Sequence, residues 1–187
     1  MKRNTQRQAG FTLIEMMIVI AVSVILAGMV VPVTKGVLAG AKADSSLGAT
    51  IDVLTQARDQ AVAQRRNFEL AFVGNNHIQV WRIEVPSGSR TQIMDIPLDN
   101  KQQFQKYASL PDTPDAFGNA TAIKFSGTGP WMFTSDGSLI DSNGDISNGT
   151  IFLGVPNDVM TARAVTVFGA TGLMRTWRWR GTKWFSN

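Results

Sequence analysis

The sequence predicts an α+β chain, with a long amino-terminal helix, membrane-embedded in its first half, packed on an antiparallel β-sheet or small β-sandwich domain. Three observations predict it. Phe11–Val33 is a run of 23 residues whose only charge is Glu15. Beyond it, apolar residues recur at three- and four-residue steps. From Phe68 onward the period falls to two, and breaker-rich turns separate short runs with no helices between them. The expected segments are a polar stretch over 1–10, a membrane-length apolar helix over 11–33, an amphipathic continuation over 34–66 and a β domain over 67–187.

The leader, Met1 to Ala9, is polar and carries Lys2, Arg3 and Arg7. Three cations ahead of an apolar run fit a cytoplasmic amino terminus, although Lys35 and Lys42 on the other side make the asymmetry modest. At about 1.5 Å per residue the 23-residue run spans roughly 34 Å as a helix, enough to cross a bilayer. After Pro32, Leu47, Ile51, Leu54, Ala57 and Ala61 form one stripe, with Asp44, Asp52, Asp59 and Gln60 elsewhere on the surface. Gly36, Gly40 and Gly48 each cost about 1 kcal/mol relative to alanine, so the expected helix of roughly 50 residues depends on tertiary packing. A bend is expected near Gly28 and Pro32.

Phe68–Val73 and Ile78–Val85 flank Gly74-Asn75-Asn76, a hairpin signal. Further strands are expected at Thr91–Ile96, Ala122–Phe125, Trp131–Thr134, Thr150–Val155, Ala164–Phe168 and Met174–Arg180. The polar, poorly periodic stretch 97–121 reads as a long loop. No repeat or low-complexity tract is evident.

The junction Gly10-Phe11-Thr12-Leu13-Ile14-Glu15 resembles that of type IV pilins and type II secretion pseudopilins. In those families a membrane peptidase cuts after the glycine and methylates the new amino-terminal phenylalanine. The resemblance implies cleavage after Gly10, N-methylation of Phe11 and an assembly role for Glu15. It also implies a proline at Pro32. Cleavage ahead of the apolar run would leave the helix on the mature protein, whereas an ordinary secretory signal is removed with its apolar stretch. A carboxylate in the bilayer core costs about 2.5–3.5 kcal/mol, so Glu15 needs a partner or a polar interface. Related filaments suggest the amino terminus of a neighbouring subunit as that partner; the plain alternative is a place at the headgroups by the positive end of the helix dipole.

Within the soluble part, Ala57-Arg58-Asp59-Gln60-Ala61-Val62 followed by Arg65-Arg66, then Phe133-Thr-Ser-Asp-Gly137 and Gly172-Leu-Met-Arg175, resemble the GspH/FimT group of minor pseudopilins and minor pilins. The resemblance implies a filament subunit in the cytoplasmic (inner) membrane, single-pass, with its β domain on the periplasmic side. Its implied partners are other minor and major pilins or pseudopilins, the prepilin peptidase and membrane lipid. The implied role is priming or capping filament assembly in a type II secretion or type IV pilus machine. DNA-binding members of the group tend to carry Gly-Arg-x-Arg near the end, and here the first arginine is missing.

The formal charge of +4 comes largely from the leader; without its three cations, 15 basic residues face 14 acidic ones. Arg175, Arg178, Arg180 and Lys183 stand without an acid in 175–187, whereas 11–174 holds 11 basic and 14 acidic residues. Period-two geometry places Trp177 and Trp179 with Arg175, and Arg178 with Arg180 on the opposite face. The segment suits either phosphate contacts of a DNA-capturing minor pilin for natural transformation or an edge strand protected by charge.

No cofactor is indicated. The chain has no cysteine and one histidine, His77, so thiolate metal sites and histidine dyads lack parts. Phosphate-loop and nucleophile-elbow motifs are missing, and the sequence reads as a non-enzyme. Asp141-Ser-Asn143-Gly-Asp145 alternates oxygen ligands as calcium loops do, but an EF-hand would need glycine at Ile146 and glutamate at Phe152. A tight solvated turn uses the same residues, and both readings stand at this point.

Overall fold

The computed structural model describes residues 11–98 and 101–186, without the side chains of 28–35. Gly10, the leader cations and the bend expected at Gly28 and Pro32 therefore lie outside the description. The chain divides into two compact units at Leu38/Ala39.

Helix α1 runs Leu13–Gln64. It opens with a capping box: the Glu15 carboxylate accepts from the Thr12 backbone N–H (2.8 Å) and hydroxyl (2.9 Å), while Thr12 Oγ1 accepts from Glu15 N (3.3 Å). The side chains described in the first unit, 11–27 and 36–38, are exposed. Among the described residues no helix is long and apolar enough to cross a membrane. The apolar run of the sequence continues to Val33, through residues whose side chains are not described. The helix ends where Arg65 turns left-handed (φ +49°) and the Arg66 N–H bonds back to Ala61 O at 3.2 Å.

The second unit, from Ala39, holds the remainder of α1 and two antiparallel sheets. The first sheet has the order β3-β2-β1-β6-β7, built from β1 Phe68–Val73, β2 His77–Ile83, β3 Arg90–Pro97, β6 Trp131–Phe133 and β7 Leu139–Ile140. The second has the order β11-β10-β9-β8-β4, from β4 Gln103–Phe104, β8 Gly149–Val155, β9 Asp158–Phe168, β10 Leu173–Trp179 and β11 Trp184–Ser186; β5 Ile123–Phe125 also pairs with β8. The hairpin predicted at 74–76 is present, with Val73 opposite His77.

The stripe predicted on α1 faces a shared core. Leu47, Leu54, Ala57 and Ala61 pack with Phe68, Leu70, Ile78, Val80, Phe133 and Leu139 of the first sheet and with Ile151, Leu153, Val165 and Val167 of the second. Because successive strand residues face opposite ways, Phe152, Ala162, Ala164, Trp177 and Trp179 lie on the far side of the second sheet. There they form a second core with Tyr107, Leu110 and Trp184. The cover over this core is the stretch expected to be a plain loop. Tyr107 donates to Val155 O (2.6 Å) and Asp158 O (2.9 Å), and Trp184 Nε1 donates to Pro111 O (3.0 Å).

Asp44 was expected on the free surface of the helix. Instead its carboxylate lies 2.6 Å from Arg163 Nε and 3.1 Å from Arg178 Nε, the latter without hydrogen-bond alignment. Arg163 is 6% exposed at its side chain, and its guanidinium also donates to the carbonyls of Met160, Ala162 and Gly40. A buried guanidinium is tolerated only when its charge and donors are matched. Asp44→Ala is therefore expected to destabilise the fold by about 3–5 kcal/mol, the usual cost of stranding a buried charge, and Asp52→Ala by less than about 0.5 kcal/mol. Denaturant titration of the two variants checks this; equal midpoints would show that Asp44 is an ordinary surface residue.

Candidate filament-assembly and basic-hairpin sites

Three segments that carry the soluble-domain resemblance meet at one side chain. Arg58, on the exposed flank of the core stripe of α1, donates Nε to Gly137 O (3.2 Å) and Nη2 to Thr171 O (3.1 Å). It thereby ties the turn of the first sheet (134–138) to the β9–β10 turn of the second. Gly172 has φ +61°, and a Cβ there would stand 2.2 Å from Gly137 O and 2.5 Å from Arg58 Nε. Only glycine fits both the backbone and the approach. Next to it Leu173 is exposed, at the position where the resembling DNA-binding members have an arginine.

The turn itself is held by Asp136. Its carboxylate accepts from Thr134 Oγ1, Ser138 N (3.0 Å) and Ser138 Oγ (2.8 Å). The Thr134 hydroxyl first, then the Ser138 donors, hold its pKa at about 2.

Asp141 is buried, and both its oxygens are taken by N–H donors. Oδ1 accepts from Asn143 N (2.9 Å) and Asp145 N (3.0 Å), Oδ2 from Thr128 N and Asn143 Nδ2 (both 3.3 Å). Burial raises its pKa, but these donors, led by the Asp145 amide, hold it below the usual carboxylate value. An oxygen that ends backbone N–H groups faces away from a cation, so of the two readings of Asp141–Asp145 the geometry is that of a turn. No group of three potential metal ligands occurs among the described residues. His77 opens β2 with Nδ1 2.8 Å from Asp95, which also accepts from Gln79 Nε2 at 2.9 Å. The arrangement is a cross-strand polar ladder.

The four cations of the carboxy-terminal segment divide into two kinds. Arg175 pairs with Asp115 at 2.9 Å and stacks on Phe168. Arg178 turns toward α1 and Asp44. The tryptophans are buried as the period-two pattern predicts, but Arg178 is half-buried rather than displayed, because its face of β10 is the one that packs on the helix. Arg180 and Lys183, either side of the Gly181-Thr182 turn, are exposed and each lies 5.0 Å from the Phe185 ring. Among the described residues neither has a carboxylate partner.

At the amino terminus, Glu15 is engaged by Thr12 of its own chain, and Phe11 precedes the first helical turn with 84% exposure. The capping box was legible as Thr12-x-x-Glu15 before an apolar run, and the reading of Glu15 as a charge in need of a partner passed over it. Nothing comparable announced Asp44, since an acid on a helix flank gives no sign of an arginine more than a hundred residues away.

The linkage sign for Asp136 follows from its lowered pKa. Its contribution to stability is complete above the unfolded value near 3.9 and is lost as pH falls toward about 2. The stability difference between the wild type and Asp136→Asn is expected to shrink across that window. Thermal midpoints recorded from pH 6 down to the acid limit test it, and curves that stay parallel would remove the carboxylate from the turn's energetics.

Comparison with known proteins adds the following. No curated protein matches the chain. Among solved structures, the minor pseudopilin EpsH from the Type 2 Secretion System of Vibrio cholerae aligns with 73% of this chain and 97% of its own, at 12% identity and a TM-score of 0.47. Residues 5–31 match the family model of the prokaryotic N-terminal methylation motif.

Proposed function

We propose that this chain is a minor pseudopilin or minor pilin of the GspH/FimT kind, a non-enzymatic subunit that primes or caps a filament of a type II secretion or type IV pilus machine. The observation that carries the reading is the methylation motif over 5–31 set directly on a helix whose described apolar side chains, from Phe11 to Ala27, are unburied. Such a surface needs lipid or other apolar helices around it, and exchanging the first for the second is the assembly step. In this reading the prepilin peptidase cuts after Gly10 and methylates Phe11. The chain waits in the inner membrane as a single span with its β domain in the periplasm, then joins other minor and major subunits.

The Thr12–Glu15 box gives Glu15 a role in each state. In the lone subunit it caps the helix; during assembly the carboxylate is free to trade Thr12 for the amino terminus of a neighbour, a charge-assisted bond stronger than a neutral one. The alternative, a DNA-binding minor pilin for natural transformation, keeps only Arg180 and Lys183 of its four cations free. At about 0.9 per phosphate, its salt slope on duplex would be no steeper than about −2.

Gly10→Ala is expected to leave an unprocessed precursor still held in the membrane, because cleavage and anchoring are separate at this junction. Intact-mass spectrometry decides it, and a species beginning at N-methylated Phe11 at wild-type yield would sink the processing assignment. Glu15→Ala is expected to leave insertion intact, since a charge costing about 2.5–3.5 kcal/mol at bilayer depth is removed, while co-purification with partner subunits falls. Undiminished co-purification would reduce Glu15 to a helix cap.

A further inference from the structure

Of the four carboxy-terminal cations, Arg180 and Lys183 are the two without a carboxylate partner among the described residues, and their place in the fold suggests a use. Thr55 Oγ1 meets Met174 at 3.7 Å, Asp44 meets Arg178, and Arg163 reaches Gly40 O at 3.3 Å. Strand β10 therefore runs antiparallel to α1, and the β10–β11 turn lies at the Gly40 end of this unit. The pairing of Arg178 with Phe185 puts Phe185, Arg180 and Lys183 on one face with Arg178. Lys42 is exposed on the same end of the helix. The nearest acid along this row, Asp44, is already committed to Arg163 and Arg178. Val33, the last residue of the apolar run, is seven residues before Gly40. Even fully extended, seven residues reach no more than about 25 Å.

We propose that the β10–β11 turn, with Arg180 and Lys183 held against Phe185 and Lys42 beside them, docks on the anionic phosphodiester headgroups of the bilayer that holds the apolar helix. The inference rests on the anchoring proposed above. So short a tether raises the concentration of the basic turn near that bilayer, where each basic residue that meets the surface shifts the equilibrium about fivefold and anionic lipid is the abundant phosphate. Contact with one ring holds both the guanidinium and the ammonium at the turn, with no carboxylate partner among the described residues. Docking would hold the β domain against the membrane before assembly and be given up when the helix leaves the lipid.

The test uses the full chain in vesicles, labelled at Thr182→Cys; the sequence has no other cysteine to label. Quenching by headgroup-spin-labelled lipid is compared between phosphatidylcholine alone and phosphatidylcholine with phosphatidylglycerol. A control label at Ser87→Cys sits near the far end of α1, where Arg66 bonds Val85 O at 3.3 Å. The expected result is quenching at 182 that rises with phosphatidylglycerol, falls with salt and spares position 87. The Arg180→Gln, Lys183→Gln double variant should lower the docked-to-free ratio about 30-fold, from about fivefold for each cation removed. Equal quenching in both lipids, or quenching that survives the double variant, overturns the proposal. Reversal by inorganic phosphate beyond that of chloride at matched ionic strength would assign the turn to a free anion. Displacement of the label by duplex DNA, with binding lost in the double variant, would assign it to nucleic acid. A chain released by alkaline wash would overturn the anchoring and docking together, whereas an anchored chain with an unquenched turn overturns the docking alone.

Discussion

The second sheet is apolar on both faces, and the rest of the soluble unit is arranged by the need to cover each of them. Ile151, Leu153, Val165 and Val167 face α1; Phe152, Ala162, Ala164, Trp177 and Trp179 face the other way. Left bare, a large aromatic or aliphatic side chain forfeits about 1.5–3 kcal/mol, so neither face can be left to water. The helix serves one face and the 105–121 segment the other. That segment has little apolar content and is pinned by polar contacts: the Tyr107 hydroxyl, the Pro111 carbonyl, and Asp115, which holds both Arg175 and the Thr166 hydroxyl at 2.6 Å. Arg175 is thus part of the lid over the tryptophans.

This explains which parts of the fold were legible in the sequence. Patterns of local period are legible: β1 has the expected bounds, and the buried stripe of α1 keeps Leu47, Leu54, Ala57 and Ala61 of the predicted set, leaves Ile51 only half-buried, and adds Ala43, Ser46, Thr50 and Val53. Strand β9 begins at Asp158, six residues before the expected start, and Asp158 pairs with Val155 beyond a register shift in β8 that local period does not announce. The two-residue strands β4 and β7 and the three-residue β11 are too short for any periodic signal. The 97–121 stretch, expected as a long loop, contains the end of β3 and the two-residue β4, and its covering role is invisible in the sequence because a tertiary partner and not its own pattern decides it.

The candidate sites show the same division. The junction Gly10-Phe11 and Glu15 are local motifs, and the family model over 5–31 encloses them. The carboxy-terminal cations were visible as a charge excess, but which of them are spent was not: Asp115 and Asp44 lie 60 and 134 residues away from Arg175 and Arg178 in the chain. The three short soluble-domain motifs, separately weak, acquire a common cause in Arg58. One guanidinium bridging Gly137 O and Thr171 O needs a helix residue, a turn glycine and a second glycine without a Cβ, and those are the residues that the motifs contain.

The distribution of spent and unspent groups also orders the two ends of the second unit. Near Gln64, Arg82 pairs with Glu84 and Arg90 with Glu69, Arg66 bonds a backbone carbonyl, and Arg65 alone of these four has no partner among the described residues. Near Gly40 one carboxylate answers two arginines, and Lys42, Arg180 and Lys183 have no carboxylate partner among the described residues. Unpaired surface cations repel one another and add little to folding stability, so stability does not account for keeping three of them at the end where the chain continues into its apolar segment. An electrostatic preference for one end of a subunit orients it without adding a contact to the core. If the helix passes from lipid to other helices as proposed above, such a contact has to be reversible. Exposed cations stacked on a half-buried ring meet that requirement, because their attraction to a surface is screened by salt and lost over a Debye length of about 10 Å once the domain lifts away.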